Sequence, residues 1–372
     1  MGKVSIRNFF FTLEPNEKSL LSVNSFGILR LILAVTVLFQ HSLVLSGNGQ
    51  LVYFGYFKGA DLGSTGVAGF FAISGFLLAG SAQRLSSRAF LIHRIFRLVP
   101  GLWFALVISA FLLVPLASFF GASDSEFKYF SGKESSLTYV LLNMGLVVFQ
   151  DSIGNVFAIN PYPKAVNGSL WTLAPEFVCY VSLLGLAICT RRKPFAQKLL
   201  LGIAIALAAI VWLLSEGSSN QVLSMVIQPA AGLGIAFATG SLIALVAKEF
   251  PYRPRPAITI SLLGVWILLG VKGPLAMIAL AVIIVALGLS LTNARVSIVG
   301  RKTDISYGIY LFHFPVIQVI IFCSIVNWTP LASLTILPAL SLLIAAPLAW
   351  VSWKLIEKPF IALGRKGVKS KI

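Results

Sequence analysis

Of the three histidines in this chain, His41 and His313 sit inside long apolar runs. An ionisable group at membrane depth is costly and marks a functional position by default. Imidazole there is suited to take and return a proton near neutral pH. His41 shares its run with Arg30, eleven residues earlier. On a helix those eleven steps leave the two side chains about 20° apart in rotation and ~16 Å apart along the axis. The pair reads as a base at depth with a cation near one boundary, both on one face. The plainer alternative is a snorkelling arginine and a histidine bonded to a neighbouring helix.

Glu176, in SLWTLAPEF, lies about six residues into another apolar run, ~9 Å below its boundary. Pro175 precedes it, which predicts a kink and an unpaired carbonyl at Trp171. His313 stands in SYGIYLFHFP, with Tyr307 and Tyr310 one turn apart and Pro315 as a second kink. His41, Glu176 and His313 are therefore the candidates for proton chemistry. Arg94 and Arg97 form an i, i+3 pair facing one way; with Arg84, Arg88 and His93 they make a dense basic stretch. That stretch fits either membrane topology alone or a phosphate site, for which guanidinium forks are well shaped. Glu357, in IEKPF, reads as a structural partner for a loop arginine. Asn167-Gly-Ser169 and Asn327-Trp-Thr329 match the glycosylation pattern.

The elements that hold these residues are membrane helices. The chain has 372 residues, 58% hydrophobic and only 11% charged, with a mean hydropathy of +0.92. The charged share is about half that of a soluble protein. A span needs about 20 apolar residues, and such runs fall at 26–47, 66–82, 97–119, 170–190, 197–215, 222–247, 257–271, 274–292, 305–328 and 331–353. A weaker run at 137–150 spans, re-enters or lies in the interface. Charge decides: if that run does not cross, one side holds only Lys58, Lys128, Lys133, Lys164 and Lys272, leaving 24 of the 29 basic residues opposite. That asymmetry fits the positive-inside rule and collapses if 137–150 crosses.

The expected fold is thus all-α and integral to the membrane, with about ten spans, a short re-entrant or interfacial segment, and both termini cytoplasmic. It divides into a cytoplasmic segment 1–25, a membrane domain 26–360 and a basic tail 361–372. The first two dozen residues, with Glu14, Glu17 and Pro15, lack the design of a cleavable signal.

The net charge of +17 belongs to the cytoplasmic connectors, so nucleic acid is not the expected partner. Cys179, Cys189 and Cys323 are odd in number and match no metal spacing, which excludes a disulfide framework and points to no metal site. The two halves show no repeat, which weighs against an inverted-repeat transporter.

In order along the chain, Arg30-x10-His41, GVAGFFAISGFLL at 66–78, RIFR at 94–97, NGSLWTLAPEF at 167–177, SYGIYLFHFP at 306–315 and IEKPF at 356–360 resemble the acyltransferase-3 family of membrane acyltransferases. The six blocks cover nearly the whole chain. Ala68 stands where family members often carry an acidic residue ahead of the FFxxSGF block. The resemblance implies an enzyme of the bacterial cytoplasmic membrane that O-acylates an extracytoplasmic sugar, with acyl-CoA, usually acetyl-CoA, as donor.

On that reading the nucleotide phosphates dock on Arg30, Arg94 and Arg97, and the pantetheine arm brings the thioester to His41. His41 acts as general base, with Glu176 orienting it or stabilising its cation; a covalent acyl-histidine relay is the alternative. Ser74 either donates to the thioester oxygen or, with Gly75, forms a small-residue helix contact. Asn167, Trp171, Tyr307 and Tyr310 supply the amide and aromatic groups that suit a sugar acceptor. The rival from another class is a transporter or flippase of a lipid-linked glycan, which would use the same intramembrane groups.

Overall fold

A computed structural model of the chain describes residues 11–13, 24–53, 62–120, 132–190, 192–249, 252–270, 272–291, 303–324 and 327–369. Most of the expected N-terminal segment 1–25, the connector 292–302, the connector residues Lys58 and Arg191, and Lys128 lie outside the described residues. The elements follow the apolar runs. They are α1 (Phe26–Leu45), α2 (Leu62–Arg84), α3 (Ser87–Phe120), α4 (Ser136–Asn143), α5 (Leu170–Cys189), α6 (Pro194–Ser215), α7 (Leu223–Ala247), α8 (Pro256–Leu269), α9 (Pro274–Ser290), α10 (Ser306–Cys323), α11 (Pro330–Ser352) and α12 (Lys358–Lys369). Strands β1 (Phe11–Leu13) and β2 (Tyr252–Pro254) form a short antiparallel pair, with Thr12 opposite Arg253.

Eight helices among the described residues are long and apolar enough to cross a membrane. The expected ten included α8 and α9, which are apolar but have 14 and 17 residues. At ~1.5 Å per residue they fall short of a ~30 Å hydrocarbon core. The ambiguous run at 137–150 resolves into α4, eight residues long, followed by a closed turn. Ser135 caps its start by accepting from the Thr138 amide, and Asn143 folds the chain back at its end. The Asn143 amide donates to the Gln150 carbonyl at 2.6 Å and accepts from the amides of Phe149 and Gln150. A helix of ~12 Å held this way does not span.

The last apolar run also differs from expectation. It does not end near 353: a π turn at Trp353–Glu357 leads without a break into α12, so the basic tail is helical through Lys369.

The described residues pack as two units. In the first, α2 crosses α7 at very close range, and α9 packs on both. A Cβ on Gly75 would lie 2.0 Å from the Phe237 carbonyl oxygen, and one on Gly240 would lie 2.1 Å from that of Ala72. The Ser241 hydroxyl donates to the Gly75 carbonyl at 3.2 Å. Without a hydrophobic drive between helices in lipid, such small-residue contacts supply the packing. The helix α6 packs on α7 but is buried over only 11% of its apolar window.

The second unit is built around α10, in which Ser306 through Gln318 are all buried. A helix enclosed on every side must be apolar all round or have its polar groups met by neighbours. Helix α11 packs along α10, where a Cβ on Gly308 would come within 2.7 Å of Ala349. The second half of α1 also lies against α10, with Leu45 clustered on Phe314, Ile317, Ile321 and Leu337. The two run parallel. His41 meets His313, and beyond the ends of both helices Asn48 donates to the Trp328 carbonyl at 2.9 Å and the Ser333 hydroxyl at 3.0 Å.

Candidate active site

The parallel packing of α1 on α10 brings the two intramembrane histidines into direct contact. His41 Nδ1 lies 2.6 Å from His313 Nε2. The ring centres are 4.9 Å apart with planes inclined by only 12°. That separation equals the N···N bond plus two ring radii, so the rings are nearly coplanar and joined end to end. His313 is fully buried, and the edge of Phe314 closes on His41. His41 itself keeps part of its surface exposed.

The other ring nitrogen of His313 fixes where the protons sit. His313 Nδ1 is 3.1 Å from the Ile309 carbonyl oxygen, one turn back on α10. A carbonyl only accepts, so Nδ1 carries the hydrogen and a neutral His313 has its lone pair on Nε2. That lone pair requires a hydrogen on His41 Nδ1. The free lone pair of the dyad is then on His41 Nε2, on the partly exposed ring. His313 is thus placed to orient the His41 ring, a role also expected of Glu176. Glu176 stands on the first turn of α5, half-buried and within electrostatic reach of the Tyr310 hydroxyl.

The block from Asn167 to Thr172 is a clamp on α10. Pro315 has no N–H, which leaves the Leu311 carbonyl without its helical donor. The Asn167 amide fills that gap at 2.8 Å, and its own oxygen accepts from the Ser169 hydroxyl at 2.6 Å and the Ser169 amide at 3.2 Å. The Tyr310 hydroxyl donates to the Ser169 carbonyl at 2.8 Å and meets the Thr172 hydroxyl at 2.5 Å. Asn167 and Tyr310 were expected to bind substrate; their polar groups are instead committed to backbone and neighbours. Buried this way, Asn167 is also no glycosylation site. Trp171 remains 38% exposed at the start of α5. Pro175 falls in the first turn of the α-helical part of α5, which begins at Leu173, where its missing amide costs no α-helical hydrogen bond.

A second clamp escaped the sequence reading. The Asn160 amide donates to the carbonyl and side-chain oxygens of Gln318 at 3.0 and 2.8 Å. Gln318 in turn donates to the carbonyls of Tyr162 and Ala165 at 3.0 and 2.8 Å. Together they hold the loop before α5, in which Phe157 and Lys164 adopt positive φ. A glutamine in the middle of an apolar helix was the available signal.

The arginines expected at a phosphate site divide. Arg97 Nη1 lies 2.9 Å from the carboxylate of Glu357, which is fully buried and also accepts from the Ser352 hydroxyl at 3.0 Å. The π turn at Trp353–Glu357 carries that carboxylate inward. The guanidinium sits over the rings of Tyr307 and Trp353, at 5.4 and 5.9 Å. The Tyr307 hydroxyl donates to the Leu98 carbonyl at 2.8 Å. Tyr307, expected at the acceptor, is therefore a floor for Arg97. Arg94 is one turn earlier on the same helix and half-buried. In the first unit Arg30 pairs with Asp304 at 3.7 Å, while its Nε is buried with no partner among the described residues. Ser74 is buried beside Gly75, at the close crossing of α2 and α7.

Residues 23–350 match the acyltransferase-3 family profile, described as an acyltransferase domain. The chain is 28% identical over 341 residues to a protein named O-acetyl transferase from Shigella phage Sf6, covering 91% of this chain and 96% of that one. It is also 28% identical over 380 residues to Nodulation protein 10 of Rhizobium leguminosarum bv. viciae, covering 94% and 96%. No solved structure matches it.

Proposed function

The chain belongs to the acyltransferase-3 family and is an acyltransferase; from that premise we propose that it moves acetyl from cytoplasmic acetyl-CoA to a hydroxyl of an extracytoplasmic glycan or glycolipid. In this reading the long apolar helices cross the bacterial cytoplasmic membrane with both termini inside, so donor and acceptor approach from opposite sides. The observation that carries the reading is the hydrogen-bond chain in which His41 donates to His313 and His313 donates to the Ile309 carbonyl. It leaves a lone pair on His41 Nε2, on a partly exposed ring, at membrane depth.

The reaction proceeds by direct transfer. The acceptor hydroxyl gives its proton to His41 Nε2 while its oxygen bonds to the thioester carbon. The carbonyl π pair moves onto oxygen, then returns as the C–S bond breaks. The leaving thiolate takes the proton back from His41, so the products are an O-acetyl ester and free coenzyme A thiol. Imidazolium at His41 is stabilised by the hydrogen bond to His313 Nε2, which becomes charge-assisted. His313 is a positioning residue: it fixes the tautomer and the ring plane. Arg94 and Arg97 bind the donor phosphates. Arg97 does so from a guanidinium already oriented by Glu357. Trp171 offers an aromatic face to the sugar.

The test compares cells lacking the protein with cells restored by the intact chain or by His41→Ala. Ester-linked acetate on surface glycans is released by mild base and measured. Restoration by the intact chain alone is expected, and the glycan that carries the acetate identifies the acceptor. Full acetylation with His41→Ala would overturn its role as base. No acetate with the intact, well-expressed chain would overturn the donor or the acceptor class.

A further inference from the structure

Helix α12 leans on the start of α3 through contacts that step back along it. Glu357 meets Arg97, the Phe360 ring lies 6.1 Å from that of Phe96, and a Cβ on Gly364 would come within 3.1 Å of Phe96. The missing side chain at Gly364 is what permits so close an approach. Arg365 follows it and comes within electrostatic reach of His93, as Arg94 does from α3 itself. Three nitrogen bases from two helices thus converge on one corner of the second unit.

The local sequence offers them little to pair with. Residues 84–100 hold no acid, and 353–369 hold only Glu357, which Arg97 has taken. Arg365 is exposed and makes no ion pair among the described residues. His93 Nε2 is buried and meets no hydrogen-bond partner among them. Like charges gathered this way repel unless an anion joins them.

An arginine fork is well shaped for phosphate, and one phosphate of the donor has no partner yet. Coenzyme A carries a diphosphate next to its pantetheine arm and, farther out, a phosphate monoester on the ribose. With the arm directed toward His41, the diphosphate lies inward and the monoester outward. Arg97 is one turn farther along α3 than Arg94, whereas Arg365 stands past the end of the last apolar run at 353. The order of the cations matches the order of the phosphates.

We propose that Arg365, beside His93, binds the ribose phosphate monoester of the donor, while Arg94 and Arg97 hold its diphosphate. The monoester is then what distinguishes coenzyme A from its dephospho form in this protein. The proposal rests on the acetyl-CoA reading, and the test separates the two. The full chain in phosphatidylcholine nanodiscs is titrated calorimetrically with coenzyme A and with dephospho-coenzyme A, neither of which can turn over.

The intact chain should bind coenzyme A about 10–100-fold tighter than the dephospho form. In Arg365→Gln that preference should shrink to within about threefold, with dephospho-coenzyme A bound as before. Lys366→Gln, at the next cation on α12, should keep the full preference. An unchanged preference in Arg365→Gln overturns the proposal and leaves the donor reading standing. So does an equal loss in Lys366→Gln, since the effect is then a general field. A preference kept in Arg365→Gln, with less phosphatidylglycerol carried through purification, gives the arginine to a lipid headgroup and overturns it too. Failure of the intact chain to bind either compound overturns the donor reading itself.

Discussion

Replacing His313 tests the coplanar histidine pair most directly, because one side chain is asked to do one thing. His313→Met preserves bulk and apolar contact but removes the acceptor 2.6 Å from His41 Nδ1. In the ground state the loss is a neutral hydrogen bond, about 1 kcal/mol. In the transition state it is a bond from imidazolium, worth about 2–3 kcal/mol. Only the difference between the two lowers kcat, and it amounts to about 1–2 kcal/mol. Freed of its partner, the His41 ring also samples the wrong tautomer and orientation, for which about 1 kcal/mol more is reasonable. The sum of about 2–3 kcal/mol corresponds to a fall of about 30–150-fold. That is less than the about 10⁴-fold seen when a triad carboxylate is neutralised, because His313 is uncharged. His313→Gln is the discriminating companion: its side-chain oxygen reaches where Nε2 stood and accepts the same hydrogen, so most of the rate should return. The assay is single-turnover transfer from radiolabelled acetyl-CoA in lipid nanodiscs. Near-native kcat in His313→Met, or equal loss in folded Met and Gln variants, would refute the positioning role of His313.

Three further outcomes follow from contacts outside the pair. Arg97→Met strands a fully buried carboxylate and should cost about 3–5 kcal/mol of stability, whereas Arg97→Met with Glu357→Met should recover most of the thermal midpoint. If Arg97 also binds donor phosphates, the double variant regains stability but not its apparent affinity for acetyl-CoA; recovery of both would make the pair purely structural. Asn167→Ala exposes the proline-orphaned Leu311 carbonyl and should destabilise by about 1–3 kcal/mol, read as a lower melting midpoint with or without substrate; an unchanged midpoint counts against the clamp. Gly75→Ala places a methyl 2.0 Å from the Phe237 carbonyl, so α2 and α7 must separate, and folded yield in membranes should collapse while Gly234→Ala, whose Cβ meets nothing within 4 Å, leaves yield intact.

The sequence made the helices legible because lipid imposes a length and a polarity that can be counted. Each apolar run became a helix, and the failure at 137–150 is instructive: its composition is apolar enough, but Asn143 supplies three hydrogen bonds that close the chain after two turns. The same reading located His41 and His313 but not their contact. Counted from their helix starts they sit at unequal depths, and only the stagger of α1 against α10 brings them level. Roles were hardest to read for residues whose side chains serve backbone. Asn167, Tyr307 and Tyr310 have the chemistry of a sugar site, and nothing in the sequence shows that Leu311, Leu98 and Ser169 carbonyls consume it. Proline was the unused signal. A proline inside a helix announces an unmet carbonyl four residues back, so Pro315 already implied that some polar side chain elsewhere must reach Leu311.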